Sequence, residues 1–292
     1  MAVLPAFLVE IAFYLTMGFP EVRKAFDGLG SKTVRAALLL ASGIVPYLVV
    51  SFAIGNFQIK GLLTLAAVTF AVSFWYAWIR PNLAMDILFL GLLAAVYLGK
   101  IFDPIYGLPA PHVQLSILGR LMLIRVSVMA VLSLRSIEET HLGFVPSWRD
   151  WKVGVLYYLC FMPVGASIAY LVRFARFRAP ELVWWKLGLL VFGTFLAFFW
   201  VVALFEEFFF RAFLQRRLAR VLKSDLAGLA VASVLFGLVH LAYPPAPNWR
   251  FAIVGGVSGV FYGLAFLRAQ SVRASMVTHA LVVVTWRVFF HG

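Results

Sequence analysis

Five polar side chains in the last third of the sequence have the types and the spacing that hydrolytic chemistry requires. They are Glu206, Glu207, Arg211, His240 and His279. A carboxylate beside an imidazole can hold and deprotonate a water molecule, and a second imidazole can donate a hydrogen bond to a developing oxyanion. The same groups could instead bind zinc through imidazole nitrogens and carboxylate oxygens.

The two adjacent acids have different surroundings if residues 204–211 form a continuous helix. Glu207 and Arg211 are four residues apart, so they share a helix face and can form an ion pair. Glu206 is rotated by about 100° from Glu207 and has no partner in its own helix. A carboxylate that loses its water shell becomes a stronger base, which a general base requires. The alternative is a helix end at the membrane surface, with both acids solvated and Arg211 snorkelling.

His240 and His279 each lie on an otherwise apolar segment, where a single histidine is more often a packing residue than a catalyst. Here both acids and two of the five histidines fall on three of the last four apolar segments. We therefore expect Glu206, His240 and His279 to converge in one polar pocket. Small residues allow helices to approach closely, and the eighth and ninth segments contain six glycines: Gly228, Gly237, Gly255, Gly256, Gly259 and Gly263.

Other hydrolase and nucleotide-binding patterns are absent from the sequence. It contains no His-Glu-x-x-His, no Gly-x-Ser-x-Gly and no phosphate-binding glycine loop. The single cysteine, Cys160, has no polar neighbour that could activate it, and it excludes a disulfide framework. We predict that Cys160 is a small core residue.

The elements that must position these residues are membrane helices. Of the 292 residues, 63% are apolar and 13% are charged, whereas soluble domains have about 45–50% and about 25%. This composition excludes a soluble globular or disordered chain. A membrane helix needs about 20 apolar residues. The sequence predicts an all-α, polytopic transmembrane helical bundle of about ten segments, near residues 2–19, 36–54, 61–79, 83–99, 115–134, 153–172, 187–205, 226–242, 251–268 and 274–290.

The formal net charge of +13 is explained by loops between the apolar segments, where most Lys and Arg residues lie. The positive-inside rule accounts for such loops, so we expect membrane lipids and not nucleic acid around this chain. Loops after odd-numbered segments carry more Lys and Arg, which predicts that these loops are cytoplasmic and both termini are outside. We expect a multi-pass integral membrane protein of a prokaryotic cytoplasmic membrane.

Two polar stretches divide the chain. Residues 100–114 contain three prolines and a glycine and predict an irregular loop. Residues 136–150 are the most polar stretch, and they separate an N-terminal transmembrane helical region of unknown role, 1–140, from a C-terminal core, 141–292. The fifth segment contains Arg120 and Arg125, so an amphipathic helix at the membrane surface is an alternative there.

The motifs of the C-terminal core resemble those of the CAAX protease and bacteriocin-processing (CPBP) family of intramembrane endopeptidases, which includes the CAAX prenyl endopeptidases. The matching motifs are Glu206-Glu207-x-x-x-Arg211, Phe236-x-x-x-His240, and a basic turn, 268–273, that leads to His279. The resemblance covers roughly residues 141–292.

This resemblance implies a role for each motif residue. Glu206 activates water, His240 helps to hold that water, and Glu207 with Arg211 supports the site. His279 stabilises the oxyanion. No cofactor is required, with zinc as the alternative. The site is expected to open to the cytosol, on the side of residues 211–223.

One position departs from the family pattern. The family usually has Asn, or another polar residue, four positions after the last histidine, and this chain has Val283. Valine cannot donate a hydrogen bond, and the loss of one oxyanion donor typically costs about 10²–10³ in rate. Thr278, Ser275 or Trp286 could substitute, or the enzyme could be slow or inactive.

Three functions follow from these patterns. The favoured one is an intramembrane endopeptidase that cleaves a hydrophobic or lipidated, CAAX-like peptide by Glu/His-activated water. The second is a catalytically weak or inactive membrane protein of the same fold, for peptide binding or bacteriocin immunity, which Val283 supports. The third is a transporter that uses Glu10, Asp86 and Arg125; these residues are scattered, and the paired broken helices of transporters are not evident.

Overall fold

The computed structural model describes residues 3–106, 114–137 and 141–291. It divides into two compact units, Met1–Glu138 and Glu139–Gly292. Residues 107–113 of the proline-rich loop predicted at 100–114 lie outside the described residues, as do Glu138 and Glu139 of the predicted boundary. Within the described part of that loop, Phe102–Ile105 forms a short helix, so the loop is not irregular throughout.

The helices account for every predicted apolar segment. Those of the N-terminal unit are α1 (Leu4–Thr16), α2 (Pro20–Asp27), α3 (Lys32–Ala53), α4 (Ile59–Trp78), α5 (Leu83–Leu98), α6 (Phe102–Ile105) and α7 (Ser116–Leu134). Those of the C-terminal unit are α8 (Trp148–Leu171), α9 (Trp184–Leu222), α10 (Asp225–Ala242), α11 (Trp249–Ala269) and α12 (Val272–Phe289).

Eight helices of the described residues are long and apolar enough to cross a membrane. A ninth span is counted if α1 and α2, which are bent by 85° relative to each other, form one broken span. The fourth predicted segment is helix α5, which has only 16 residues. The predicted all-α, polytopic bundle is confirmed, with eight or nine candidate spans among the described residues in place of about ten.

Buried ion pairs explain the charges inside the N-terminal unit. Arg125 donates to both carboxylate oxygens of Glu10, at 3.1 and 3.3 Å, and to the Ser42 hydroxyl at 2.7 Å. Arg135 binds the Asp86 carboxylate in the same two-pronged way. A buried charge is tolerated when it is paired and hydrogen-bonded. Helix α7 can therefore lie in the core of the N-terminal unit although it contains Arg125. The surface-helix alternative for the fifth segment is therefore wrong.

Close helix contacts in the C-terminal unit depend on two glycines. A Cβ atom at Gly154 of α8 would lie 2.6 Å from the Val277 side chain of α12. At Gly237 of α10 it would lie 2.6 Å from the carbonyl oxygen of Ala252 in α11. Real side chains do not fit at these distances, so α8 packs directly on α12 and α10 on α11. The expected role of Gly237 in close helix approach is confirmed.

Two short strands join the ends of helices in this unit. β1 (Arg176–Phe177), in the α8–α9 connection, pairs antiparallel with β2 (Phe290–His291), which follows α12. This pairing holds the connection against the end of α12.

Helix α9 contains 39 residues and includes two π-helical stretches, Phe198–Ala203 and Phe208–Gln215. The two adjacent acids lie in the α-helical turn between these stretches. On α8, Cys160 is exposed, so the prediction that it is a core residue is wrong. Its position on the outer face of an apolar helix satisfies the hydropathy pattern equally well.

Candidate active site

A cavity of about 770 Å³ lies among the helices of the C-terminal unit. Glu206 from α9, His240 from the end of α10 and His279 from α12 all line it. The structure thus brings together three residues that 73 positions of sequence separate, as the distribution of polar residues predicts. Val283 lines the same cavity, one helical turn after His279.

Glu207 and Arg211 form a completely buried ion pair behind this cavity. Arg211 Nε donates to Glu207 Oε2 at 3.0 Å, and neither side chain has exposed surface. The guanidinium carbon of Arg211 also lies 5.1 Å from the centre of the Phe236 ring, at a distance typical of cation–π contacts. The alternative in which Arg211 snorkels beside solvated acids is therefore wrong.

His279 is held between the two acids. Its Nδ1 lies 2.8 Å from Glu207 Oε1, and its Nε2 lies 3.9 Å from Glu206 Oε2. Because a carboxylate paired with a guanidinium can only accept hydrogen bonds, Nδ1 of His279 carries the proton in this contact. The 3.9 Å separation is too long for a direct hydrogen bond and suits a bridging water molecule.

Tyr262 of α11 and Phe236 of α10 fix the plane of the His279 ring. The Tyr262 ring stacks on it with centroids 4.6 Å apart and planes within 12°, while Phe236 meets it edge-on at 6.0 Å. Sequence reasoning missed Tyr262. The available signal was a single tyrosine within an apolar, glycine-rich helix, and this signal does not indicate which ring the tyrosine contacts.

His240 is oriented by its own helix. Its Nδ1 lies 2.6 Å from the Phe236 carbonyl oxygen. Since a carbonyl oxygen only accepts, Nδ1 carries the proton and Nε2 is left as an acceptor. Tyr243 stacks on the ring and Phe251 contacts its edge. The imidazole interacts electrostatically with Glu206 and with His279.

The adjacent acids do not separate as completely as a regular helix predicts. Glu207 has no exposed surface, and the Glu206 side chain, on the cavity wall, is 16% exposed. Both nevertheless approach the same imidazole, one at each ring nitrogen. π-Helical stretches are frequent at functional sites, and here they flank the turn that presents both acids to His279.

Two of the three groups that could replace the missing donor at Val283 are already engaged. The Thr278 hydroxyl donates to the Gly154 and Ala274 carbonyl oxygens, and the Ser275 hydroxyl donates to Val272. Trp286 lines the cavity, but its Nε1 is enclosed by protein. Neither hydroxyl is therefore directed at the cavity.

The cavity does not open where the sequence predicts. The loop residues that line it, 173–175, 243–245 and 248, follow α8 and α10. Residues 211–223 lie at the opposite end of α9, and in the described part of the chain none of them lines the cavity. The expectation of an opening on that side is wrong. The charge of a loop indicates on which side of the membrane the loop lies, but it does not indicate at which end of the bundle the helices separate to form an opening.

The zinc alternative requires at least three protein ligands around one point. Across 3–106, 114–137 and 141–291, no three His, Cys, Asp or Glu side chains are grouped so that they could hold a metal ion. One nitrogen of each site imidazole is already bound, His279 Nδ1 by Glu207 and His240 Nδ1 by Phe236.

One comparison with known proteins gives a match. A family model described as Type II CAAX prenyl endopeptidase Rce1-like matches residues 187–285. These residues form an Rce1-like domain. The domain contains all five candidate site residues and extends from α9 into α12, which confirms the family resemblance seen in the motifs. No curated protein and no solved structure matches the chain.

The matched third of the chain is similar to endopeptidases of the CAAX type, which supports such an activity at the level of the family. The many apolar helices agree with an integral membrane protein. Helix α8 and the whole N-terminal unit lie outside the matched residues.

Proposed function

We propose that this protein is an intramembrane endopeptidase that hydrolyses a hydrophobic or lipidated peptide, with Glu206 as the general base. One observation carries the proposal: Glu206 Oε2 and His279 Nε2 lie 3.9 Å apart on the cavity wall, and the buried Glu207–Arg211 pair holds His279 in place. A water molecule between these atoms would lie on the cavity wall, where it could attack the carbonyl of a peptide bound beside it.

The first step is activation of that water. The Glu206 carboxylate accepts one of its protons while His240 Nε2, which is an acceptor, orients the other hydrogen. The resulting hydroxide attacks the carbonyl carbon of the scissile peptide bond. Its electron pair forms the new C–O bond, and the carbonyl π electrons move to the oxygen.

The second step is stabilisation and collapse of the tetrahedral oxyanion. His279, protonated on both nitrogens and balanced by the Glu207 carboxylate, donates its Nε2–H to the oxyanion. Glu206 then transfers its proton to the departing nitrogen as the C–N bond breaks. The products are a carboxylic acid and an amine, and Glu206 returns to its carboxylate form.

Every step of this scheme is performed by side chains, so we propose that no metal is required. Treatment with a strong chelator such as 1,10-phenanthroline should leave the cleavage rate unchanged. Loss of activity that added zinc restores would establish the alternative, a zinc ion on imidazole and carboxylate ligands.

The decisive test compares wild-type protein with Glu206→Gln in membranes at matched expression, by sequencing newly formed peptide N-termini. Removal of a general base typically costs about 10²–10⁴ in rate, so the new N-termini should disappear. Glu181→Gln, an exposed acid of the α8–α9 connection, is the matched control and should cleave normally. Identical N-termini in wild type and Glu206→Gln would refute the proposed mechanism and favour peptide binding or immunity.

A further inference from the structure

The outer face of helix α8 changes from basic to apolar within its first turns. Arg149 and Lys152 are exposed near the start of the helix. The next residues on the same face are Val155, Leu156 and Leu159, which are 37, 44 and 58% exposed, because residues three and four apart share one side of a helix. Such a change along a membrane helix is typical of the boundary between the headgroup layer and the hydrocarbon layer.

A third cation lies beside this face. Arg149 Nη2 donates to the carbonyl oxygen of Arg268, in the last turn of α11, at 3.2 Å. Arg268 is also exposed. This hydrogen bond joins the first turn of α8 to the end of α11, so the three cations lie at one end of the C-terminal unit. We call Arg149, Lys152 and Arg268 the basic cluster.

The protein does not neutralise the basic cluster. Across residues 3–106, 114–137 and 141–291, no ion pair to a carboxylate involves any of its three members. The neighbouring carboxylate of Asp150 is buried and already engaged, since it forms an ion pair with Arg273 at 3.1 Å and accepts from the Ser147 hydroxyl at 2.7 Å. Three positive charges are therefore left for an anion from outside the chain.

An aromatic side chain places the basic cluster at the depth of lipid phosphates. Trp148, the first residue of α8, is 74% exposed, and Lys152 Nζ lies 6.0 Å from the centre of its ring. Tryptophan is enriched where membrane headgroups meet water. Snorkelling would explain a single cation at this depth. Three cations on two helices, one of them held by a hydrogen bond, can instead surround one phosphate with several donors.

We propose that the basic cluster binds the headgroup of an anionic phospholipid such as phosphatidylglycerol, and that an acyl chain of this lipid lies along Val155, Leu156 and Leu159. The lipid supplies the negative charge that the cluster lacks. Its chain also covers the apolar face that continues from the cluster, which a soluble anion cannot do. The cluster lies at the opposite end of α8 from the cavity loop 173–175, so this site is separate from the candidate active site.

The single cysteine of the chain provides a reporter for this lipid. Cys160 is exposed and lies one helical turn after Leu156. The full-length protein is labelled at Cys160 with a coumarin maleimide and placed in phosphatidylcholine nanodiscs. These contain a small and equal fraction of doxyl-labelled lipid, which is either phosphatidylglycerol or phosphatidylcholine. Quenching of the coumarin measures how often each labelled chain lies beside α8.

We expect labelled phosphatidylglycerol to be enriched about fivefold over labelled phosphatidylcholine beside Cys160, the effect of about one cation near an anionic headgroup. The triple variant Arg149→Gln, Lys152→Gln, Arg268→Gln should remove this preference. It should leave quenching by phosphatidylcholine unchanged, which also shows that α8 keeps its place in the membrane.

A matched control removes the same charge elsewhere. The variant Lys24→Gln, Lys60→Gln, Arg80→Gln loses three exposed cations of the N-terminal unit and should keep the full preference for phosphatidylglycerol. Loss of the preference in this control would mean that net charge, and not the basic cluster, attracts the lipid.

Two further results would overturn the inference: equal quenching by the two lipids in the wild-type protein, or a preference that the triple variant retains. Inorganic phosphate, added at matched ionic strength, tests the other source of the same chemistry. It should leave quenching unchanged, and displacement of the labelled lipid would assign the cluster to a soluble phosphate. Peptide cleavage does not enter this measurement, so either proposal can fail without the other.

Discussion

Glu207 and His279 are joined by a 2.8 Å hydrogen bond between side chains 72 residues apart, one on α9 and the other on α12. The Glu207 carboxylate has no exposed surface and also accepts from Arg211. This single contact determines which nitrogen of His279 is free. It also couples the ring position to a buried ion pair, so Glu207 is a positioning residue in the proposed mechanism.

Glu207→Gln should therefore damage both stability and activity. The substitution leaves the buried Arg211 charge without its carboxylate, and breaking a buried pair costs about 3–5 kcal/mol. We expect a lower free energy of unfolding, measured by SDS titration, together with a fall in kcat. Glu206→Gln is the comparison, because it removes the general base without unpairing a guanidinium. Equal stability of the two variants would contradict the assigned roles.

Val283→Asn should raise activity. It adds a hydrogen-bond donor on the cavity wall, one helical turn after His279. Since one oxyanion donor is worth about 10²–10³ in rate, we expect kcat to rise by at least about tenfold. Val283→Leu, which changes shape and adds no donor, should give no such gain. An unchanged kcat in Val283→Asn would mean that the oxyanion does not lie beside this residue.

Gly154→Ala should destabilise the C-terminal unit. The added Cβ would approach Val277 to 2.6 Å and the Ala274 carbonyl oxygen to 2.9 Å, and overpacking of this kind costs about 1–3 kcal/mol. Gly193→Ala on α9 is the matched control, since its Cβ would meet nothing within 4 Å. Thermal unfolding in detergent should show a lower Tm for the first variant only. An equal Tm for both would contradict the close packing of α8 on α12.

Glu10→Leu should destabilise the N-terminal unit more than Glu10→Leu combined with Arg125→Leu. The single variant strands a buried guanidinium, at a cost of about 3–5 kcal/mol, while replacement of both partners by apolar groups is often close to neutral. SDS titration of the two variants measures the difference. If the double variant unfolds as easily as the single one, the unpaired charge of Arg125 is not the cause of the lost stability.

The helices could be predicted from the sequence because membrane helices satisfy their own backbone hydrogen bonds. Each apolar segment can therefore be recognised as a helix from its own residues, without knowledge of its neighbours. The Glu207–Arg211 pair was predictable for the same reason, since both residues lie on one helix and four positions apart. The family motifs also gave the order in which the site residues follow one another along the chain, which local patterns do not supply.

Contacts between distant segments could not be predicted in this way. Glu10 and Arg125 are 115 residues apart, and neither helical periodicity nor hydropathy indicates that they pair. Cys160 shows the complementary problem. An apolar helix has an outer face that is as hydrophobic as its inner face, so composition does not separate lipid-facing from core positions.

A water-filled cavity would thin the apolar barrier at this point in the membrane. Its lining extends along α11 from Arg250 to Tyr262, about 18 Å at 1.5 Å per residue. The hydrocarbon layer is about 30 Å thick. A water-filled cavity of this length would leave about 12 Å of apolar layer between the two aqueous phases, and most of the transmembrane voltage would fall across that layer.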